Sequence, residues 1–204
     1  MLVVRRVVTQ EKLVALTFDD GPHPGFTSRK VNTLLRHGAR ASFFVVGRLV
    51  GRLHEVVREL VQAGQEVVNH GYNHAYLTSL GSSEVVSQLK RTAAAIEAAT
   101  GQPFTPLFRP PYGAYDPRVL TAAARAGYTH NVMWDVDPRD WRRPGVWSIV
   151  SRTLGPLAPG SIVVLHDIWE QTVHALPHIL EGLSARGYRA VTVSELLEAG
   201  TPAQ

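Results

Sequence analysis

Short apolar runs alternate with segments of helical apolar spacing along the whole chain, and that alternation narrows the folds open to it. The runs are 13–18, 41–46, 66–69, 106–109, 130–136, 161–166 and 189–193, each of strand length. Between them, 48–63, 82–100, 116–126, 144–154 and 172–185 carry apolar residues three and four apart, and Gly64, Gly101, Gly127 and Gly187 follow four of these segments, where helices commonly end. Roughly seven β-α units predict a parallel sheet, open or closed into a barrel. At 204 residues the chain fits one domain, 1–204, short for the usual eight-unit barrel. No linker, internal repeat or low-complexity segment interrupts it, and a polar tail is expected at 201–204.

The polar residues then fall in a pattern. Asp19, Asp20, His70, Arg109, Asp135, Asp137 and His166 all sit at or just beyond the C-terminal ends of predicted strands, the edge where parallel α/β folds build their sites. Asp19 and Asp20 are adjacent, between an apolar run and a Gly-Pro break. Two carboxylates in one place repel unless one is protonated or a cation sits beside them, so the pair points to acid/base chemistry or a metal. His70 and His74 lie four residues apart after another apolar run. With one Asp they make the two-His, one-carboxylate set suited to zinc or a similar divalent ion, with positions left open. Each piece has a bland reading: Asp-Asp before Gly-Pro is commonly a turn that caps backbone amides, and the two His are ordinary loop residues without structural context. Their co-occurrence carries the case.

Composition excludes several classes. With 45% hydrophobic and 19% charged residues the chain is of ordinary globular type, and no apolar stretch approaches bilayer length. The absence of cysteine excludes disulfides and thiol catalysis and leaves the compartment open. The net charge is +4; of 21 basic residues only Lys12, Lys30 and Lys90 are lysine, and the rest are scattered arginines. That scatter argues against a nucleic-acid partner and allows a mild attraction to an anionic polymer such as a bacterial cell wall. Residues 1–6 lack the apolar core of a secretion signal. As written the chain is expected to be cytoplasmic, or secreted or wall-associated if a leading segment has been trimmed.

Five motifs, in order, resemble those of the polysaccharide deacetylases of carbohydrate esterase family 4, the NodB homology domain. They are Thr17-Phe18-Asp19-Asp20-Gly21-Pro22; His70 to His74; Arg109-Pro110-Pro111-Tyr112-Gly113; Asp137-Pro138-Arg139-Asp140-Trp141; and Val164-Leu165-His166-Asp167. The segments 175–188 and 194–197 also resemble the family's closing helix and strand. The resemblance implies a distorted (β/α) barrel of about seven parallel strands. It further implies that Asp20, His70 and His74 bind a divalent metal, zinc first with cobalt or nickel as alternatives, while Asp19 is the general base.

A bound cation lowers the pKa of its water and polarises the acetyl carbonyl, so the neighbouring Asp need only remove one proton as attack begins. Carried over in the same way, Arg109 pairs with Asp19, the Tyr112 amide helps hold the oxyanion, and His166 is the general acid with Asp140 as its carboxylate partner. One oxyanion donor is worth about 3 kcal/mol of barrier. Tyr112 and Trp141 are expected to line a sugar subsite, and Val164 to face the acetyl methyl. Trp134 and Trp147 are assigned to the core or left unassigned, and His23, His37, His54, His130, His174 and His178 are taken as structural or exposed. Two positions depart from the family pattern. Gly71 stands where Ser or Thr is usual, removing a side-chain hydrogen bond from the ligand loop. Val164 stands where Leu is usual, enlarging the acetyl pocket.

The implied activity is metal-dependent removal of N-acetyl groups from N-acetylglucosamine units of chitin-like oligomers or peptidoglycan, the N-acetylated glycan being the partner. The same machinery suits an O-acetyl xylan esterase or a formamido-sugar deformylase. From another class, a low-turnover carbohydrate-binding module would keep the fold, though intact Asp19 and His166 argue against it.

Overall fold

The computed structural model describes residues 1–203. In chain order the elements are β1 (Leu2–Val4), β2 (Arg6–Val8), β3 (Leu13–Gly21), α1 (Phe26–Arg36), β4 (Ser42–Val45), α2 (Gly47–Val50), α3 (His54–Gln62), β5 (Glu66–Asn69), α4 (Ser82–Thr100), β6 (Leu107–Phe108), α5 (Pro117–Arg125), β7 (His130–Val132), α6 (Val146–Leu154), β8 (Ile162–His166), α7 (Glu170–Ala185), β9 (Arg189–Val191), α8 (Val193–Glu198) and β10 (Thr201–Ala203). Eight strands form one sheet, in the order β1-β7-β6-β5-β4-β3-β8 with β9 also on β3, and every pair in it is parallel. The expected distorted (β/α) barrel is what the chain forms. The segment that follows β7 crosses to β8, where Val136 bridges Val163.

Strand periodicity decides what points into the barrel. In β3, Leu13 and Ala15 join the inner apolar cluster with Phe44, Val68, Leu107, Val132 and Ile162, while Val14, Leu16 and Phe18 face the helices. Because successive side chains alternate faces, Thr17 and Asp19 continue the inner row. The same parity carries Val68 to His70, Leu107 to Arg109, and Ile162 through Val164 to His166. Four strands thus deliver polar residues to one mouth of the barrel. Outside, helices cover the other face; α4 buries Val85, Leu89, Thr92, Ile96 and Ala99 at three and four spacing.

Several boundaries differ from the sequence reading. Segment 48–63 is two helices, α2 and α3, rather than one. Strand 130–136 stops at Val132, because the Asp135 carboxylate accepts the Ile162 amide at 2.7 Å and the Ser161 hydroxyl at 2.9 Å, drawing the chain across to β8. Strand 189–193 stops at Val191, since Thr192 caps α8 in a reciprocal capping box with Glu195. Helix α1 is absent from the sequence reading: its buried face carries Thr27, Lys30 and Thr33 beside Val31 and Leu34, which masks the apolar period. The tail at 201–204 is not loose, for Thr201–Ala203 pairs antiparallel with β2; Gln204 lies outside the described residues. Among the described residues no helix is long and apolar enough to cross a membrane.

Candidate active site

The residues singled out by sequence meet in one cleft of about 540 Å³, whose lining includes Asp19, Asp20, His70, His74, Tyr112, Trp141, Val164 and His166. Arg109 and Asp140 lie beneath this lining, both fully buried.

Arg109 anchors the floor. Its Nη1 donates to Asp19 Oδ1 at 2.6 Å and to Thr17 Oγ1 at 2.8 Å, its Nε to the Val132 carbonyl at 2.8 Å and its Nη2 to the Met133 carbonyl at 3.1 Å. The guanidinium also lies over the Phe44 ring, 4.0 Å from its centre. The Thr17 hydroxyl in turn donates to the Val163 carbonyl at 2.7 Å. One side chain thereby ties β3, β6 and the exit of β7, and it fixes one oxygen of Asp19.

Asp20 turns the other way. Its Oδ1 lies 3.3 Å from His70 Nε2 and 2.8 Å from His74 Nε2. Burial pushes the Asp20 carboxyl up, but hydrogen bonds from the two imidazoles, and their charge, outweigh this and hold it well below the usual carboxylate range. Asp20 and His74 both adopt left-handed backbone conformations, φ 73° and 62°, which non-glycine residues occupy only where the surroundings over-determine them. His70 Nδ1 donates to the Arg109 carbonyl at 2.9 Å, which keeps a proton on Nδ1 and turns Nε2 toward Asp20 and the ligand position. The three ligand atoms lie within 4.8 Å of one another, whereas neighbouring ligands around a tetrahedral zinc stand roughly 3.3 Å apart. One hard oxygen, two imidazole nitrogens and a prefixed tautomer fit a divalent cation.

The loop that carries the imidazoles is steadied differently from the expected pattern. Gly71 sits at φ 77°, where a Ser or Thr would be strained. In place of a hydroxyl at that position, Asn69 Oδ1 accepts the Gly71 amide at 2.8 Å, and Gln88 Oε1 from α4 accepts the amides of Tyr72 and Asn73 at 2.9 and 3.1 Å.

Across the cleft, Asp140 Oδ1 lies 2.7 Å from His166 Nδ1, while its Oδ2 accepts the His166 amide at 2.8 Å and the Thr172 hydroxyl at 2.6 Å. Burial pulls the imidazole down, but Asp140, with Asp19 and Asp20 behind it, pushes it up to about 9. Tyr112, at φ 61°, is the middle residue of the short 3-10 turn Pro111–Gly113, where its amide N–H has no intrahelical acceptor. Its ring is exposed, edge-on to His74 and stacked on Tyr76 at 3.9 Å.

Sequence reasoning missed several participants. Thr172 acts through the Asp140 carboxylate and Gln88 through the Tyr72 and Asn73 amides, and neither carries a spacing signal. Trp134, assigned to the core or left open, is a wall of the cleft, as is Trp169. Trp147 is no core residue: it is 68% exposed and packs on His178. Asp135 does not reach the cleft. Asp167 points to the helix side, where its carboxylate accepts from Lys30 Nζ at 2.9 Å and from Thr27. Gly21 is required there, since a Cβ would run into the Asp167 carboxylate. His23 is structural; its Nδ1 accepts the Gly25 and Phe26 amides at the start of α1, each at 3.1 Å.

Comparison with known proteins agrees with this arrangement. A family model for polysaccharide deacetylases matches residues 6–130. A peptidoglycan-N-acetylglucosamine deacetylase of Bacillus cereus is 40% identical over 199 residues, 96% of this chain and 92% of that protein. A chitooligosaccharide deacetylase of Bradyrhizobium is 37% identical over 203 residues, 93% of this chain and 92% of that protein. Among solved structures, a mutant of BA3943 from Bacillus anthracis, described as a pseudoenzyme of the family with restored enzymatic activity, superposes with a TM-score of 0.90 at 34% identity, covering 96% of this chain and 71% of that one. The chain belongs to the polysaccharide deacetylases of carbohydrate esterase family 4, a family of metalloenzymes.

Proposed function

We propose that this single domain, residues 1–204, is a hydrolase that removes N-acetyl groups from N-acetylglucosamine units of peptidoglycan or chitin-like oligomers. The observation that carries the reading is the division of two adjacent carboxylates: Asp19 is held by Arg109 and Asp20 by two imidazoles. The names of the Bacillus cereus and Bradyrhizobium relatives support N-acetylated glycans as the substrate class.

Asp20, His70 and His74 would hold the divalent cation, zinc first, with cobalt or nickel as alternatives. Such an ion lowers the pKa of a water and polarises the acetyl carbonyl. Asp19 takes the proton from the attacking water, and since Arg109 occupies Oδ1, Oδ2 is the oxygen left for the task. The Tyr112 amide N–H faces the oxygen that gains charge, a contribution of about 3 kcal/mol when well aligned. His166, protonated by virtue of Asp140, delivers its Nε2 proton to the departing nitrogen, so that the products are acetate and a free sugar amine. Trp141 and the Tyr112 ring offer apolar faces to the pyranose, and Val164 faces the acetyl methyl.

The test is mass-spectrometric detection of acetyl loss from N-acetylglucosamine oligomers after chelation and after zinc or cobalt is added back. Metal-restored loss of acetyl, with a hydrogen left in its place at each event, supports the reading. A folded protein inert with every metal would overturn it.

A further inference from the structure

Beside the catalytic cleft lies a second recess of about 430 Å³, lined by Asp137, Arg139, Arg142, Pro144 and Arg152. Asp137 also lines the cleft, so the two recesses adjoin. All three arginines are exposed. Arg29, Arg40, Arg58, Arg118 and Arg189 each have a carboxylate within ion-pair range, while among the described residues exposed arginines such as Arg48, Arg52 and Arg125 have none. Among the described residues no such partner reaches Arg139, Arg142 or Arg152. The one acid in the recess, Asp137, turns an oxygen back to the Arg139 amide at 2.8 Å. The recess is therefore a concavity with excess positive charge.

It is also tied to the chemistry. Arg139 and Arg143 adopt left-handed conformations, φ 58° and 52°, on either side of the short 3-10 turn Asp140–Arg142. That turn sets Asp140 beneath His166, holds Trp141 at the cleft and places the Arg142 guanidinium 4.7 Å from the Trp141 ring centre. Strained backbone in a functional loop persists where the surroundings fix it. The same loop thus positions the acid's partner, an aromatic platform and two of the three unpaired guanidinium groups.

We propose that this recess binds a carboxylate carried by a sugar unit neighbouring the one deacetylated, so that the enzyme selects acidic glycan chains over neutral ones. Planar guanidinium forks match carboxylate geometry, and a focused positive potential raises the local concentration of an anionic chain. Of the substrates considered above, a peptidoglycan strand freed of its stem peptides carries such a group, the carboxylate of the lactyl ether on its alternate sugar, and a chitin-like oligomer does not. The inference rests on the deacetylase reading and refines its substrate.

The experiment compares kcat/KM for a peptidoglycan tetrasaccharide with free lactyl carboxylates and for its methyl ester, at low ionic strength. The acid is expected to be preferred about fivefold, the scale of exposed ion pairs, with the preference abolished in the Arg142→Gln, Arg152→Gln double variant and by high salt. Arg152→Gln alone, on the exposed side of α6, keeps the test available if the turn variant fails to fold, and halves the preference or more. Equal kcat/KM values in the wild type, or a preference that survives the substitutions, overturn the recess. If neither glycan loses acetate, the deacetylase reading has failed instead, and calorimetric titration with the same two glycans still reads the recess: equal affinities overturn it, and tighter binding of the acid supports it.

Discussion

Arg109 Nη1 stands 2.6 Å from Asp19 Oδ1, with 0% and 5% of the two side chains exposed. Burial pulls the guanidinium down and Asp19 pushes it back up, and removing either partner would leave the other buried without its counterpart. The pair fixes one carboxylate oxygen of the base and leaves the other for chemistry.

Replacement of Arg109 by Lys keeps the charge but loses the fork that also bonds Thr17 and the Val132 and Met133 carbonyls. The protein is expected to fold, with kcat/KM lowered about a hundredfold, as for misplacement of a catalytic group by an ångström. Replacement by Met leaves Asp19 buried without a counter-charge and is expected to destabilise by about 3–5 kcal/mol, read from the shift in denaturant midpoint.

His166 sets the alkaline limit. Its imidazole is raised to about 9 from an ordinary value near 6.5. A raised folded-state pKa contributes stability that is full below about 6.5 and is lost as pH climbs through about 9. Activity is expected to fall over the upper part of the same window as the acid loses its proton, at a lower pH once a bound cation offsets the Asp19 and Asp20 charges. Asp140→Asn removes the main upward push, so the alkaline limb of the kcat/KM profile moves to lower pH; an unmoved limb would assign it to another group.

Behind the site, Lys30 Nζ donates to both the side chain and the backbone carbonyl of Asp167 at 2.9 Å, with both side chains wholly buried. Burial pulls the Lys30 amine down and pushes the Asp167 carboxyl up, and mutual attraction opposes both shifts. The Asp167 amide in turn donates to the Asp19 carbonyl at 2.7 Å. Lys30→Met is expected to cost about 3–5 kcal/mol by orphaning Asp167, while the Lys30→Met, Asp167→Leu double variant regains most of it. Denaturation of the single and double variants checks this; a double variant no better than the single would mean that packing, not charge, is at stake.

The barrel and its mouth were legible because strand periodicity and cleft chemistry act on the same residues: Asp19, His70, Arg109 and His166 each follow the inward parity of a recognisable apolar run. What escaped notice depends on contacts far apart in sequence. Lys30 looks like a surface lysine until Asp167, 137 positions away, is brought beneath it. Thr172 has no signal until α7 sets it against Asp140. The strands β1, β2 and β10 are each three residues long, too short for periodicity to register. Trp134 reads as core by type alone, and only the bend of the chain toward β8 after Val132 turns it into the cleft wall.

The division of labour between Asp19 and Asp20 is the centre of this account, and Asp19→Asn tests it most directly when metal content and acetate release are measured on the same preparation. The account predicts a variant that retains about one divalent ion per chain, as the two-His, one-carboxylate set requires, and releases no acetate from N-acetylglucosamine oligomers. Full acetate release, or loss of the metal with the activity, would contradict it.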